Sequence, residues 1–186
     1  MAEIVKLTVA GTTYDLCENA TASVRGLVST TTQTFAGVKT FQDGCYGALW
    51  NDLADCIPIQ DGLKPEPGYC YSFNGKVYKK TTKYLDKQYI GIHSDTYGFA
   101  MGKEEDKTKL DIAVTGFVLA YTDKKYKPGT PLTCSRNGYL TKIRLLDRIF
   151  HPHMIIATYW KDEPNETFGS KYKTVTVNNR NWVKIQ

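Results

Sequence analysis

Three histidines and five cysteines are the side chains best suited to metal or nucleophilic chemistry in this 186-residue sequence. Their spacing limits what they can do. His151 and His153 flank Pro152; on a strand, alternate residues project to one side, so the pair would offer two imidazoles to a metal shared between copies. Two imidazoles with no carboxylate beside them are a thin donor set, and Pro152 makes a surface turn an equally natural setting. No metal and no other cofactor is expected. His93 closes Tyr89-Ile90-Gly91-Ile92 and reads as a structural histidine. Cys17, Cys45, Cys56, Cys70 and Cys134 include no CxxC pair, so zinc spacing is lacking. Small buried thiols in a reducing cytoplasm are the simplest account. No paired carboxylates frame a sugar cleft, and Gly102 opens a charged loop rather than a phosphate cradle. A conventional enzyme constellation is not legible.

The composition describes what must carry these residues. With 41% hydrophobic and 23% charged residues, the chain has the balance of a soluble globular protein. Its length suits one modest domain plus a short appendage. Thirteen tyrosines, with many Thr and Val, favour strands. The net charge of +5 is mild, and runs such as Lys103-Glu104-Glu105-Asp106-Lys107 mix both signs. That is a solvated loop, not a nucleic-acid stripe. No run approaches the ~18 apolar residues of a membrane helix, and Met1–Lys6 lacks a signal-peptide layout. Neither nucleic acid nor membrane insertion is expected. Tyr71, Tyr97, Tyr126, Tyr139 and Trp160 would serve equally for sugar stacking, core packing or contacts between copies.

Residues 1–43 read as an arm. Ile4, Val5, Leu7 and Val9 precede an Ala10-Gly11 turn, and Tyr14 and Leu16 follow it, predicting a hairpin with an unpaired edge suited to attachment. Ala20–Thr32 is rich in small and β-branched residues and too poor in large apolar ones to make a core alone. Phe35 and Phe41 share an even spacing, hence one strand face, with Val38 between them. Such a segment must lean on the body, on another copy of itself or on a partner.

Residues 44–186 read as a β-rich body. Leu110–Tyr121 becomes apolar on both alternating faces after Thr115, as in a strand buried on both sides. Lys173–Val177 and Trp182–Ile185 flank Asn178-Asn179-Arg180-Asn181 and predict a closing hairpin. Helix is expected only within Leu140–Phe150. Pro67-Gly68 and Asn74-Gly75 recur as Pro128-Gly129 and Asn137-Gly138, as though one hairpin plan were used twice.

Several segments carry a family resemblance. Thr32-Gln33-Thr34-Phe35-Ala36-Gly37-Val38-Lys39-Thr40-Phe41 resembles the shaft repeats of bacteriophage fibres. Tyr46–Asp52, Ser94–Gly102, Ile112–Tyr121, Lys127-Pro128-Gly129 and Asn178–Ile185 come in the order seen in C-terminal knob domains of phage fibre and decoration proteins. Those knobs are akin to the autoproteolytic intramolecular chaperone domain of tail appendages. The resemblance implies a mainly β fold: an N-terminal arm and shaft, then a barrel-like or sandwich-like knob with at most one short helix. It implies a homotrimeric structural virion protein of a tailed phage, a head or tail fibre, spike or decoration protein assembled in the host cytoplasm. The arm would attach to a capsid or tail protein and the knob would face the host surface, where a glycan is a candidate ligand. Its mechanism would be binding rather than catalysis.

Self-cleaving relatives offer an alternative. Their motif resembles Ser-Asp-Tyr-Ala-Glu/Asp, onto which Asn51, Asp52 and Asp55 map, with the cut after Asn51. Asn51 lacks the hydroxyl nucleophile. Its amide would have to form a succinimide, with Asp55 assisting proton transfer. The plainer reading has Asn51 and Asp52 hydrogen-bonding a turn before the strand.

Overall fold

The computed structural model describes residues 6–15, 52–60, 62–102, 108–169 and 174–186. Ile4, Val5, Leu16, Phe35, Val38, Phe41 and Asn51, with Cys17 and Cys45, lie outside them. The chain divides into two units, Met1–Tyr46 and Gly47–Gln186. In the first, β1 (Lys6–Val9) and β2 (Thr12–Asp15) pair antiparallel, with Leu7 opposite Tyr14 and Val9 opposite Thr12. Ala10 and Gly11 both take positive φ, 50° and 81°, as the tight turn matching strand twist requires. The expected hairpin therefore forms across Ala10-Gly11.

The second unit is mainly β. Its strands are β3 (Asp52–Pro58), β4 (Cys70–Phe73), β5 (Tyr78–Lys80), β6 (Tyr89–Ile92), β7 (Tyr97–Met101) and β8 (Lys109–Ala120). There follow β9 (Pro131–Cys134), β10 (Leu140–Lys142), helix α1 (Leu145–Phe150), β11 (Ala157–Asp162), β12 (Thr167–Gly169), β13 (Thr174–Thr176) and β14 (Asn181–Ile185). A seven-stranded sheet runs in the order β10-β9-β11-β14-β8-β3-β7, and β5-β4-β6 and β12-β13 form smaller sheets. Among the described residues the large sheet is open. The β3–β7 pair is parallel and the others are antiparallel.

Strand β8 explains the layering. Val118 sits opposite Val183 and joins a core shared with Cys70 and Ile92 of the three-stranded sheet, plus Leu132, Leu140 and Tyr159. Its neighbour Leu119 sits opposite Trp182 and packs on Val175, Val177 and Phe168 of the β12–β13 hairpin. Successive side chains enter opposite cores, so Val118–Ala120 is buried on both faces, as its sequence predicted. The result is sandwich-like, with the β12–β13 hairpin on the far face of the central sheet.

The two Pro-Gly/Asn-Gly segments do follow one plan. Gly68 and Gly129 have φ of 86° and 85°. Each precedes a hairpin, β4–β5 and β9–β10, that turns at an Asn-Gly pair. The one α-helix among the described residues, α1, falls within Leu140–Phe150 as expected, shortened to six residues because Leu140–Lys142 pairs with β9 as β10. Another expectation changes. The last two strands are not a hairpin: β13 pairs with β12, whereas β14 inserts between β11 and β8. The turn itself forms, with Asn178 and Asn179 at φ of 50° and 61° and Arg180 N–H bonded to Val177 O. Its flanking strands diverge because Arg180 is buried at the corner.

Candidate functional site: a polar clasp at the first strand of the body

Asp52 is the first residue of β3, in register with Tyr97 on β7 and Gly116 on β8. Beside it runs the link from β6 to β7, residues 93–96. That link is held by its backbone: His93 N–H donates to Tyr69 O at 3.0 Å and Ser94 N–H to Asp111 O at 2.7 Å. The side chains then converge. Thr96 Oγ1 donates to Asp52 Oδ1 at 2.9 Å. Ser94 Oγ lies 3.1 Å from Thr96 Oγ1 and accepts from Thr96 N–H at 3.0 Å. Because the single Thr96 hydroxyl proton goes to the carboxylate, Ser94 is the donor between the two hydroxyls. Asp52, Ser94 and Thr96 are all buried.

Two supports surround this relay. His93 Nδ1 lies 3.1 Å from both the backbone N–H and the carbonyl oxygen of Asp111, accepting from the first in one neutral tautomer and donating to the second in the other. Burial pushes the His93 pKa down, against smaller opposing effects of Asp111 and Asp95. Tyr97 is pushed up to about 12, first by burial and then by the Asp111 carboxylate. Both groups are uncharged at neutral pH.

The second support is Arg180, whose side chain is 1% exposed. It grips Asp95, between Ser94 and Thr96, through both carboxylate oxygens at 2.7 and 2.9 Å. It also donates to Val177 O at 3.0 Å and Thr176 O at 2.6 Å. A bidentate guanidinium fixes its partner's direction as well as its distance. Gly68 makes room for it, since a Cβ there would lie 2.4 Å from Arg180 Cδ. Thus the last turn of the chain orients the loop that holds the first strand of the body.

These hydrogen bonds fix the direction of each member of the clasp. The Ser94 hydroxyl is engaged by Thr96, and Nδ1 of its neighbour His93 is engaged by Asp111, so no imidazole activates it through that nitrogen. Asp52 opens β3; the turn expected of Asn51 and Asp52 lies outside the described residues. Asp55 is exposed while Asp52, Ala54 and Cys56 are buried. The strand therefore places the two aspartates on opposite faces and does not bring Asp55 to Asp52.

The other expected residues scatter. His151 caps α1 and His153 lies in a 3-10 turn rather than on a strand. Their rings are 6.0 Å apart and nearly perpendicular. Among the described residues no three His, Cys, Asp or Glu side chains are grouped to hold a metal. Cys56, Cys70 and Cys134 are buried. Tyr71 belongs to the core, its hydroxyl accepting from Glu66 N–H at 2.9 Å. Tyr139 packs with Tyr69 and Tyr121, and Trp160 remains exposed over Phe117. Sequence reasoning missed Arg180, Asp95 and the hydroxyl pair. Ser94-Asp95-Thr96 was visible only as part of a longer resemblance, and an arginine among asparagines reads as solvent-exposed.

No family model matches the sequence, and no curated protein does. The fold does have a counterpart. The crystal structure of the pre-mature bacteriophage phi29 gene product 12 superposes with a TM-score of 0.51 at 15% identity, over 78% of this chain and 23% of that one. The chain therefore spans about a quarter of that protein's length, and at this identity the likeness is one of fold. The fold of this mainly β chain is one used by a bacteriophage protein.

Proposed function

We propose that the chain is a structural virion protein of a tailed bacteriophage: a short homotrimeric fibre, spike or decoration protein on the head or tail. Residues 1–43 attach it to a capsid or tail protein, and residues 44–186 face the host surface. The single observation that carries this reading is the shared fold with a bacteriophage gene product. Two features agree with it. The β1–β2 hairpin is a two-stranded unit, of the kind that gains stability by docking onto another sheet. The body holds an oriented polar clasp at the start of β3, a rigid base for a displayed surface.

The test is removal of residues 1–18. The truncated chain should fold and stay absent from assembled particles. If it decorates them at normal occupancy, the anchor lies in the body and the assignment of arm and knob is reversed.

A second reading has the body cut its own chain after Asn51. What favours it is that Asp52 opens the body's first strand and is held there by Thr96, together with a fold counterpart captured in a pre-mature form. Intact mass separates the two readings. A fragment beginning at Asp52 supports cleavage, and a full-length chain from denatured particles excludes it.

A further inference from the structure

Strand β13 and the turn after it have two faces with different roles. Val175 and Val177 are buried against Leu119 and Trp182, while Thr174, Thr176 and Asn178 are exposed, as alternation along an extended segment requires. The exposed face lines a cleft of about 410 Å³, within the ~300–1,000 Å³ of small-ligand sites. Pro67, Tyr69 and Tyr121 add apolar walls, and Glu66, Asp95 and Arg180 add charged groups. Backbone bonds hold these walls together. Gly68 N–H donates to His93 O at 2.7 Å and Tyr121 N–H to Gly68 O at 2.9 Å, which fixes the 66–69 segment beside the 93–96 link.

Charge decides the class of ligand that fits. Asp95 pairs with Arg180 at 2.7 Å and Glu66 with Lys80 at 2.7 Å, so a cation balances each carboxylate of the cleft. Lys80 Nζ also lies 3.5 Å from the centre of the Tyr69 ring, the position an incoming cation would take. An incoming anion would meet two carboxylates. Hydrogen-bonding capacity nevertheless remains. A carboxylate offers about four lone-pair sites. Arg180 occupies one on each Asp95 oxygen, and Lys80 occupies one on Glu66. The second Nη1 proton of Arg180 has no acceptor among the described residues. An uncharged molecule with several hydroxyls and an apolar ring face matches this lining. Its hydroxyls can donate to the carboxylates and accept from Arg180, while its C–H groups rest on tyrosine.

We propose that this cleft binds an uncharged sugar ring, with Asp95 and Glu66 accepting from its hydroxyls and Tyr121 carrying its apolar face. Arg180 fixes the direction of Asp95 before any ligand arrives, so little ordering is needed on binding. The inference rests on the displayed-body reading above and supplies a ligand class for it.

The test titrates the full chain with glucose, galactose, mannose and N-acetylglucosamine, by calorimetry and saturation-transfer NMR. A ring of about a dozen non-hydrogen atoms supports a Kd on the order of 1–10 mM, and at least one of the four should bind in that range. The charged amino-sugar and uronic-acid counterparts of that sugar should bind at least about tenfold more weakly. Thr176→Lys places a long cationic side chain on the exposed face of β13 and should abolish binding with Tm unchanged. Val77→Lys, the same side chain at an exposed valine outside the cleft, should bind as wild type does. Glu66→Gln leaves Lys80 without its carboxylate and should narrow the gap between the neutral sugar and its uronic acid. If none of the four sugars binds at tens of millimolar, or Thr176→Lys binds unchanged, the inference falls. Charged counterparts that bind as well or better overturn the uncharged class and the inference with it. Particle occupancy judges the virion reading separately. A chain that decorates particles but binds no sugar overturns this inference alone. A chain that binds through the cleft yet never joins particles overturns the displayed-body reading and supports the cleft assignment.

Discussion

Arg180→Ala tests the clasp most directly. The substitution removes a guanidinium that makes two charge-assisted bonds to Asp95 and two bonds to the carbonyls of residues 176 and 177. Breaking a buried ion pair from one side costs about 3–5 kcal/mol, because the remaining charge loses its partner. Here Asp95 keeps 25% side-chain exposure, so water recovers part of that loss and about 3 kcal/mol is expected. For a body of this size, each kcal/mol shifts Tm by roughly 2–4 °C, giving a fall of about 10 °C. The double variant Arg180→Met/Asp95→Leu removes both charges and should be less destabilised than Arg180→Met alone, because the orphaned carboxylate goes with its partner. Urea and thermal unfolding of Arg180→Ala, Arg180→Met, Asp95→Leu and the double variant supply the comparison. A loss below about 1 kcal/mol for Arg180→Ala, or a double variant as damaged as the sum of its singles, would refute the claim that this pair fixes the 93–96 link.

Further outcomes follow from the same geometry. Thr96→Val keeps the shape but removes the donor to Asp52, and should cost about 1.5–3 kcal/mol as a lost hydrogen bond to a charged group, measured by urea unfolding. Gly68→Ala places a Cβ against Arg180 Cδ at a φ of +86°; a loss of about 2 kcal/mol or more is expected, and much of it should vanish in an Arg180→Ala background. His93 has a depressed folded pKa, so below pH ~6.5 the unfolded chain takes up a proton that the folded chain refuses. Stability should therefore fall as pH drops from 7 toward 5, by at most about 1.4 kcal/mol per pH unit, and His93→Gln should flatten that slope.

What the sequence revealed was local pattern, and what it concealed was long-range. The Ala10-Gly11 hairpin, the two-faced burial of Val118–Ala120 and the doubled Pro-Gly/Asn-Gly plan each depend on residues a few positions apart. Backbone conformation and alternation determine them before any tertiary contact forms. The closing hairpin failed because Asn178-Asn179 specifies a turn without specifying which sheet each flanking strand joins. Trp182 and Val183 bury themselves on opposite faces beside β8, and that gain outweighs pairing with a three-residue neighbour. Helix α1 leaves Leu145, Leu146, Ile149 and Phe150 exposed, while the Tyr84 hydroxyl bonds its Asp147 from far along the chain, a contact that no local pattern announces.

The clasp was illegible for a related reason. Its members stand at positions 52, 93–96, 111 and 180, and no spacing rule connects them. What joins them is topology: β8 lies between β3 and β14, so the first strand of the body and the last turn of the chain meet on either side of one central strand. A carboxylate at the opening position of β3 needs a donor there, and the β6–β7 link supplies one only if its own direction is set. Arg180 sets that direction from the far end of the sequence. The body's first described strand is thus tied, through the 93–96 link, to the turn that precedes β14.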